Sequence, residues 1–251
     1  ALLKRVDTKF ICRTDEIPSL LGRLHADQYG VARHANGELF AYTNQYFDTP
    51  ERDFLREHHR GRRPRFKVRL RHHLSRELSY FELKEKRPNG TTNKVRVPIA
   101  YQSKALGPIE SDILPKHRYR LETLEESMQI GFDRIMLVGL RTEERITIDS
   151  GVWFSDASRR ERIDNLAIVE VKQARFKARS PIMQALRSQG AFQTRPGSTR
   201  SAPDIPKPSN MPPRPLQSSI FESLGTQKSI FLNETTTLSS SSYSILKLLM
   251  N

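Results

Sequence analysis

A single cysteine, Cys12, stands among the 251 residues, which excludes an internal disulfide framework and a cysteine-rich zinc site. It reads as a plain strand residue in a protein of a reducing compartment, and the expected location is cytoplasmic. Long apolar runs are lacking too. No stretch approaches the ~20 apolar residues that span a bilayer, and the first residues lack the charged-then-apolar layout of a secretory leader. The chain is expected to be soluble, with no membrane span and with a membrane-bound partner left open. Patterned sequence begins almost at Ala1, so a natural start is expected elsewhere. Acidic residues are scarce: 28 Asp and Glu face 42 Lys and Arg, for a formal charge of +14. That balance calls for an anionic partner such as phosphate chains, nucleic acid or acidic lipid headgroups.

What is present is alternation. From Arg65 to Arg71 the chain reads Arg-Phe-Lys-Val-Arg-Leu-Arg, the period of a β-strand with one cationic and one apolar face. The pattern recurs at Tyr80 to Lys86, Lys94 to Val97, Arg145 to Asp149 and Ile168 to Lys172. Five strands with ionic groups in phase predict a sheet whose polar faces converge on a highly charged ligand. The expected fold is α+β: a closed antiparallel β-barrel, a tunnel with a charged interior, flanked by helices. Crowded cations repel one another and are costly to desolvate, so a polyanion would relieve the lining. Arg offers a forked donor and Lys a compact charge, and together they suit successive phosphoryl groups.

Further elements follow from spacing and turn residues. A strand is expected over 2–14, a helix over Ile17–Gln28 closed by Gly30, and a strand from Leu39 to Phe47. The charged run Glu51–Pro64 reads as a turn or mobile loop. Arg87-Pro88-Asn89-Gly90 marks a hairpin that sets Lys84 and Lys86 beside Lys94 and Arg96. Tyr119, Leu121, Leu124 and Met128 have helical spacing, which predicts a packing helix over Lys116–Ile130. Strands are expected at 134–140, 144–148 and 166–171, and Ser180-Pro181 opens a short helix. The domain is expected to span 1–190. Residues 191–251 form a proline- and Ser/Thr-rich tail, with seven of the fifteen prolines between Pro196 and Pro215, and it reads as disordered or altered.

At these residues the chain resembles the polyphosphate polymerase, or VTC-type (vacuolar transporter chaperone), domain of the triphosphate tunnel metalloenzyme superfamily. The segments that carry the likeness are Arg5-Val-Asp-Thr-Lys9-Phe, Tyr46-Phe-Asp-Thr49, His58 through Gly61 and the basic strand with Lys67, Arg69 and Arg71. Phe81-Glu-Leu-Lys84 with Lys86, Lys94 and Arg96, then Arg134, Glu144 through Asp149 and Ile168-Val-Glu170-Val-Lys172, complete it over roughly 1–190. The resemblance implies transfer of the terminal phosphoryl group of ATP to a growing inorganic polyphosphate chain, with a divalent metal, Mn2+ or Mg2+. It implies that Lys9, Arg69, Arg71, Lys84, Lys94, Arg134, Arg145 and Lys172 hold triphosphate or chain. Lys67, Lys86 and Arg96 share those faces and join the phosphate-binding set, while Glu170 would ligate the metal. One departure stands out: a Ser-Lys-aromatic segment that the family carries after the last helix is replaced by Gln189-Gly190-Ala191-Phe192 and the proline-rich tail. The last strand of the barrel is therefore expected to be missing.

Competing readings are a triphosphate hydrolase on the same fold and a non-catalytic binder of polyphosphate or nucleic acid. The lack of a clear Glu-x-Glu-x-Lys opening near Lys9 argues against the first. Nucleic acid is disfavoured because Phe66 and Phe81 lie out of phase with the charges, where bases could not stack among them. Glu82, beside Lys84, fits an ion pair or a metal ligand equally. His58, His59, His72 and His73 sit beside arginines that disfavour a cation, and Trp153 reads as packing.

Overall fold

Alternation of charged and apolar positions folds into antiparallel strands throughout the computed structural model, which describes residues 6–33, 39–107, 113 and 123–194. Eleven strands form one sheet. In chain order they are β1 (Val6–Cys12), β2 (Tyr29–Ala32), β3 (Phe40–Asp48), β4 (Arg65–His73), β5 (Leu78–Lys86) and β6 (Thr92–Ile99). These are followed by β7 (Glu125–Gly139), β8 (Glu144–Ser155), β9 (Arg160–Arg162), β10 (Ala167–Gln173) and β11 (Phe192–Thr194). Three α-helices are complete among the described residues: α1 (Ile17–Gly22), α2 (Asp53–His59) and α3 (Pro181–Ser188). No described helix is long and apolar enough to cross a membrane.

The strand order is β11-β1-β10-β8-β7-β3-β4-β5-β6, with β2 on β7 and β9 on β8. The expected α+β class holds. The expected closure does not: among the described residues the ladder is open, with β6 and β11 as its two ends. β11 pairs β1 over only three residues, Lys9↔Thr194, Phe10↔Gln193 and Ile11↔Phe192. The sequence then reaches Pro196, a residue with no N–H to extend a ladder. The remaining tail lies outside the described residues.

Four local expectations need correction. α1 stops at Gly22 instead of Gln28, because Tyr29 and Gly30 are drawn into β2 against Val138 and Gly139 of β7. Glu51–Pro64 contains α2, whose first turn is capped from behind. The buried Asp48 carboxylate accepts hydrogen bonds from the backbone N–H of Thr49 at 2.8 Å, Phe54 at 2.8 Å and Leu55 at 3.0 Å, which satisfies donors that a helix start leaves open. Of the helix expected over Lys116–Ile130, residues 116–122 lie outside the described set. Glu125–Ile130 belong to β7, paired with β3 from Gln45↔Gln129 to Asp48↔Glu125. The strand expected at 134–140 is the C-terminal part of β7, which ends at Gly139, and the one expected at 144–148 is the first part of β8.

The apolar faces of the strands make the core. Phe66, Val68 and Leu70 of β4 and Phe81 and Leu83 of β5 are buried with Phe47 and with Phe54 of α2. Phe10, Ile146, Ile148, Val169 and Val171 pack against Leu20 of α1 and against Ile182, Met183 and Leu186 of α3. Ser180-Pro181 does open α3, as expected. A buried polar corner fastens that helix: the Tyr29 hydroxyl donates to Glu144 Oε1 at 2.5 Å and accepts from the Ile182 N–H at 3.3 Å. Gln173 Nε2 donates to Glu144 Oε2 at 2.8 Å. Cys12 is buried with a free thiol, and burial pushes its pKa up to about 12.

Candidate active site

Residues directly opposite each other in a ladder share a face of the sheet, so the register shows what the charged face contains. On β4, β5 and β6 it holds Lys67↔Lys84↔Lys94, then Arg69↔Glu82↔Arg96, then Arg71↔Tyr80. On β3 it continues through Asn44↔Arg71 and Tyr46↔Arg69. At the far side it carries Asp7↔Lys172↔Arg145, Lys9↔Glu170↔Thr147 and Arg134↔Asp149. The even spacing seen in the sequence thus becomes one ionic surface across eight strands.

That surface is curled. Lys9 on β1 and Lys67 on β4 are five steps apart along the strand order, about 24 Å in a flat sheet. Yet the Lys9 charge helps to depress the pKa of both Lys67 and Lys84. Burial is the first cause in each case. It brings Lys9 down to about 8 and Lys84 to about 8, and pulls Lys67 well below the usual lysine value. Neighbouring cations then add to the effect on Lys67, from Lys84, Lys9, Arg69 and Arg65. Three lysines from β1, β4 and β5 are therefore close enough for their charges to act on one another.

The arginines are fixed differently. Arg69 donates through Nε to Glu82 Oε2 at 2.8 Å and through a terminal nitrogen to the Tyr46 hydroxyl at 3.0 Å. Glu82 also receives Lys94 Nζ at 3.0 Å and lies 3.7 Å from Arg96 and 3.9 Å from Arg71. Burial alone would raise its pKa, but Arg69, Arg71 and Lys94 outweigh it and hold the carboxyl below the usual range. Arg71 Nε donates to Asn44 Oδ1 at 2.8 Å, and Asn44 Nδ2 donates to the Ile130 carbonyl at 3.1 Å. Arg134 makes a two-point pair with Asp149, at 2.5 and 2.7 Å, and its guanidinium lies over Tyr42.

Glu170 contacts the Lys172 ammonium and lies 3.9 Å from Lys9 Nζ, while Lys172 is 4.0 Å from Asp7. Two further predicted site residues lie on the same face of the ladder. Arg145 is exposed, although it faces Lys172 across the ladder. Lys86 ends β5 and donates to Thr92 Oγ1 at 3.2 Å. His72 lies on the opposite face, buried between Ser79 Oγ at 2.7 Å and Gln45 Oε1 at 3.0 Å.

A model of the VTC domain matches residues 4–198. The chain belongs to the VTC-domain family. No curated protein matches it. Among solved structures, a Bacillus halodurans protein described as a candidate adenylate cyclase is similar with TM-score 0.49 and 14% identity, over 78% of this chain and 95% of that one. A Hippeastrum protein described as an adenylyl cyclase with a dominant triphosphatase activity is similar with TM-score 0.45 and 12% identity, over 78% and 92%. A conserved hypothetical protein from Pyrococcus furiosus is similar with TM-score 0.43 and 15% identity, over 74% and 91%.

In this VTC domain a protein-only cage for a cation is absent: no three His, Cys, Asp or Glu cluster among the described residues. Glu82 is consumed by cations and is only 3% exposed. Glu170 is 18% exposed, and one accessible carboxylate fits a hard cation of the kind that takes one or two protein oxygens and completes its shell with water and phosphate. Tyr46 stood in a segment quoted for the resemblance, but the sequence assigned no role to it or to Tyr42 and Asn44 of β3, which contact three arginines. It also gave no role to Asp149, His73 or Tyr80. Asp149 stood in the quoted strand in phase with Arg145, which was a usable signal; β3 offered none, since both of its faces mix polar and apolar side chains.

Proposed function

We propose that this VTC domain transfers the terminal phosphoryl group of ATP to a growing inorganic polyphosphate chain laid along its charged face, within a tunnel-like groove. The observation that carries the reading is the gathering of Lys9, Lys67 and Lys84 from strands far apart in the sheet order, each with a depressed pKa. Such a cluster gains most from a ligand with several adjacent negative charges. Membership of the family supports the same chemistry.

Phosphoryl transfer asks for alignment and charge neutralisation more than covalent help. Lys9, Lys67 and Lys84 would hold successive phosphoryl groups, with Lys94 and Lys172 flanking them. Arg71 and Arg134 would orient oxygens, because Asn44 and Asp149 already fix their planes. Arg69 is locked on Glu82 and sets the wall behind. Glu170 would hold a divalent cation, Mn2+ or Mg2+, which when bound withdraws charge from the phosphate oxygens. The attacking group is a terminal phosphate that is already ionised at neutral pH, so no general base is required.

Incubation of the purified chain with ATP and Mn2+, followed by separation of acid-insoluble polymer and nucleotides, tests this reading. ADP with long chains is the expected result. Free phosphate without chains would instead establish a triphosphate hydrolase. No turnover, with salt-sensitive binding of polyphosphate and nucleic acid alike, would leave a binding module.

A further inference from the structure

Among Arg69, Arg71, Arg96 and Arg134, it is Arg96 whose guanidinium lies nearest to an aromatic ring. Arg69, Arg71 and Arg134 turn their forked edges to Glu82, Asn44 and Asp149. Arg96 has its guanidinium carbon over Tyr80, 3.5 Å from the ring centroid. Its edges are held as well, by His73 Nε2, which accepts from a terminal nitrogen at 3.2 Å, and by Glu82 Oε1 at 3.7 Å from its Nε. One face is covered and two edges are occupied, yet the side chain is 42% exposed.

The support beneath it is an aromatic row that crosses the sheet. Phe132 stacks on Tyr42 at 5.4 Å, Tyr42 meets His73 at 4.5 Å and His73 meets Tyr80 at 5.5 Å. His73 and Leu78 are the last pair of the β4–β5 ladder, so the row marks the rim where the charged face ends. Burial, with Arg71 and Arg96 nearby, lowers the His73 pKa to about 4, which keeps its ring neutral and able to accept from Arg96.

We propose that Arg96 on Tyr80 is a stacking platform for the base of a nucleoside triphosphate, so that the donor nucleotide enters with its base at this rim and its phosphates toward the lysines. The inference rests on the phosphate-site reading above and adds the nucleoside to it. Arginine planes and aromatic rings both stack on bases. The register fits: Lys94 is two residues from Arg96 on β6 and faces Lys84, about 7 Å away along a strand, a span that a ribose and its first phosphate bridge. Tyr80 also supplies what Phe66 and Phe81 do not, an aromatic ring in phase with the charges.

The test is calorimetric titration of ATP and of inorganic tripolyphosphate, at fixed Mg2+, into the wild type, Tyr80→Leu, Tyr80→Phe and Arg96→Lys. Tyr80→Leu is expected to weaken ATP roughly tenfold, in line with the loss of one stacking contact, and to leave tripolyphosphate within about twofold. Tyr80→Phe should match the wild type for both ligands. Arg96→Lys keeps the charge and loses the plane, so it should reduce the preference for ATP over tripolyphosphate. Equal losses for the two ligands, or none, in a Tyr80→Leu protein that melts like the wild type would overturn the platform while leaving the phosphate site standing. Failure of tripolyphosphate to bind the wild type would overturn the phosphate site itself, and the platform with it.

Discussion

The triplets Glu82-Leu83-Lys84 and Glu170-Val171-Lys172 carry the same pattern but occupy different electrostatic settings. Glu82 lies between β4 and β6, opposite Arg69 on one side and Arg96 on the other, and is 3% exposed. Glu170 lies between β1 and β8, opposite Lys9 and Thr147, and is 18% exposed. The first carboxylate is enclosed by three guanidinium groups and the Lys94 ammonium. The second touches flexible ammonium groups and retains access to solvent. A motif within one strand therefore does not decide its role; the residues supplied by the two neighbouring strands do. Glu82 acts as a fixed counter-charge, whereas in the proposed function Glu170 would exchange its lysine partners for a metal.

The contrast is sharpest in turnover. Glu170→Gln is expected to lower polymer synthesis by about a hundredfold or more, the scale of removing a transition-state charge stabiliser, and to abolish its metal dependence. Its urea midpoint should stay near that of the wild type. Full activity in this variant would remove Glu170 from the metal site. Glu82→Gln should do the reverse first: unfolding stability falls by about 3 kcal/mol, because buried cations lose their counter-charge. If urea titration shows no loss, Glu82 is not the structural member of the pair.

A smaller effect separates orientation from charge. Asn44→Ala removes the acceptor that fixes Arg71, and tripolyphosphate affinity is expected to drop about fivefold, the worth of roughly one hydrogen bond. Calorimetry on this variant should show little change in the salt dependence of binding, since no charge has been removed.

The mildest test is pH. Lys9 and Lys84 have folded pKa values of about 8 against 10.5 for an unperturbed side chain, so between those values the folded protein binds fewer protons than the unfolded chain. Stability of the empty protein should rise with pH from about 8 towards 10.5. Polyanion affinity should fall over the same window as the lysines lose charge. Opposite slopes in thermal melts and in tripolyphosphate titrations are the expected signature. Parallel slopes would mean that these lysines do not face the ligand.

The faces of β4, β5 and β6 were legible in the sequence because charge and bulk alternate there without interruption. Lys84↔Lys94 and Glu82↔Arg96 follow once the Asn89-Gly90 turn sets the hairpin. β3 was legible as a strand but not in phase: Tyr42, Asn44 and Tyr46 mix polar and apolar character, as do Ala41, Thr43 and Gln45 on the other side. β7 was half hidden because its bulge at Gly131/Asp133 breaks the period, and Leu124 with Met128 mimics helical spacing. α2 escaped because its cap, Asp48, belongs to the preceding strand. Closure of a sheet depends on pairing between distant chain ends, which local periodicity does not report.

The Tyr29, Glu144 and Gln173 corner sets a clock for the molecule. Its hydrogen bonds tie β2, β8, β10 and the start of α3 at one point, and Gln173 directly follows Lys172. Amide protons of Gln173 and Ile182 should therefore exchange with deuterium only in the slowest opening events, while those of the outer strand β6 exchange early. In the proposed function that fixed backbone would hold Lys172 in place while its side chain exchanged Glu170 for a phosphate.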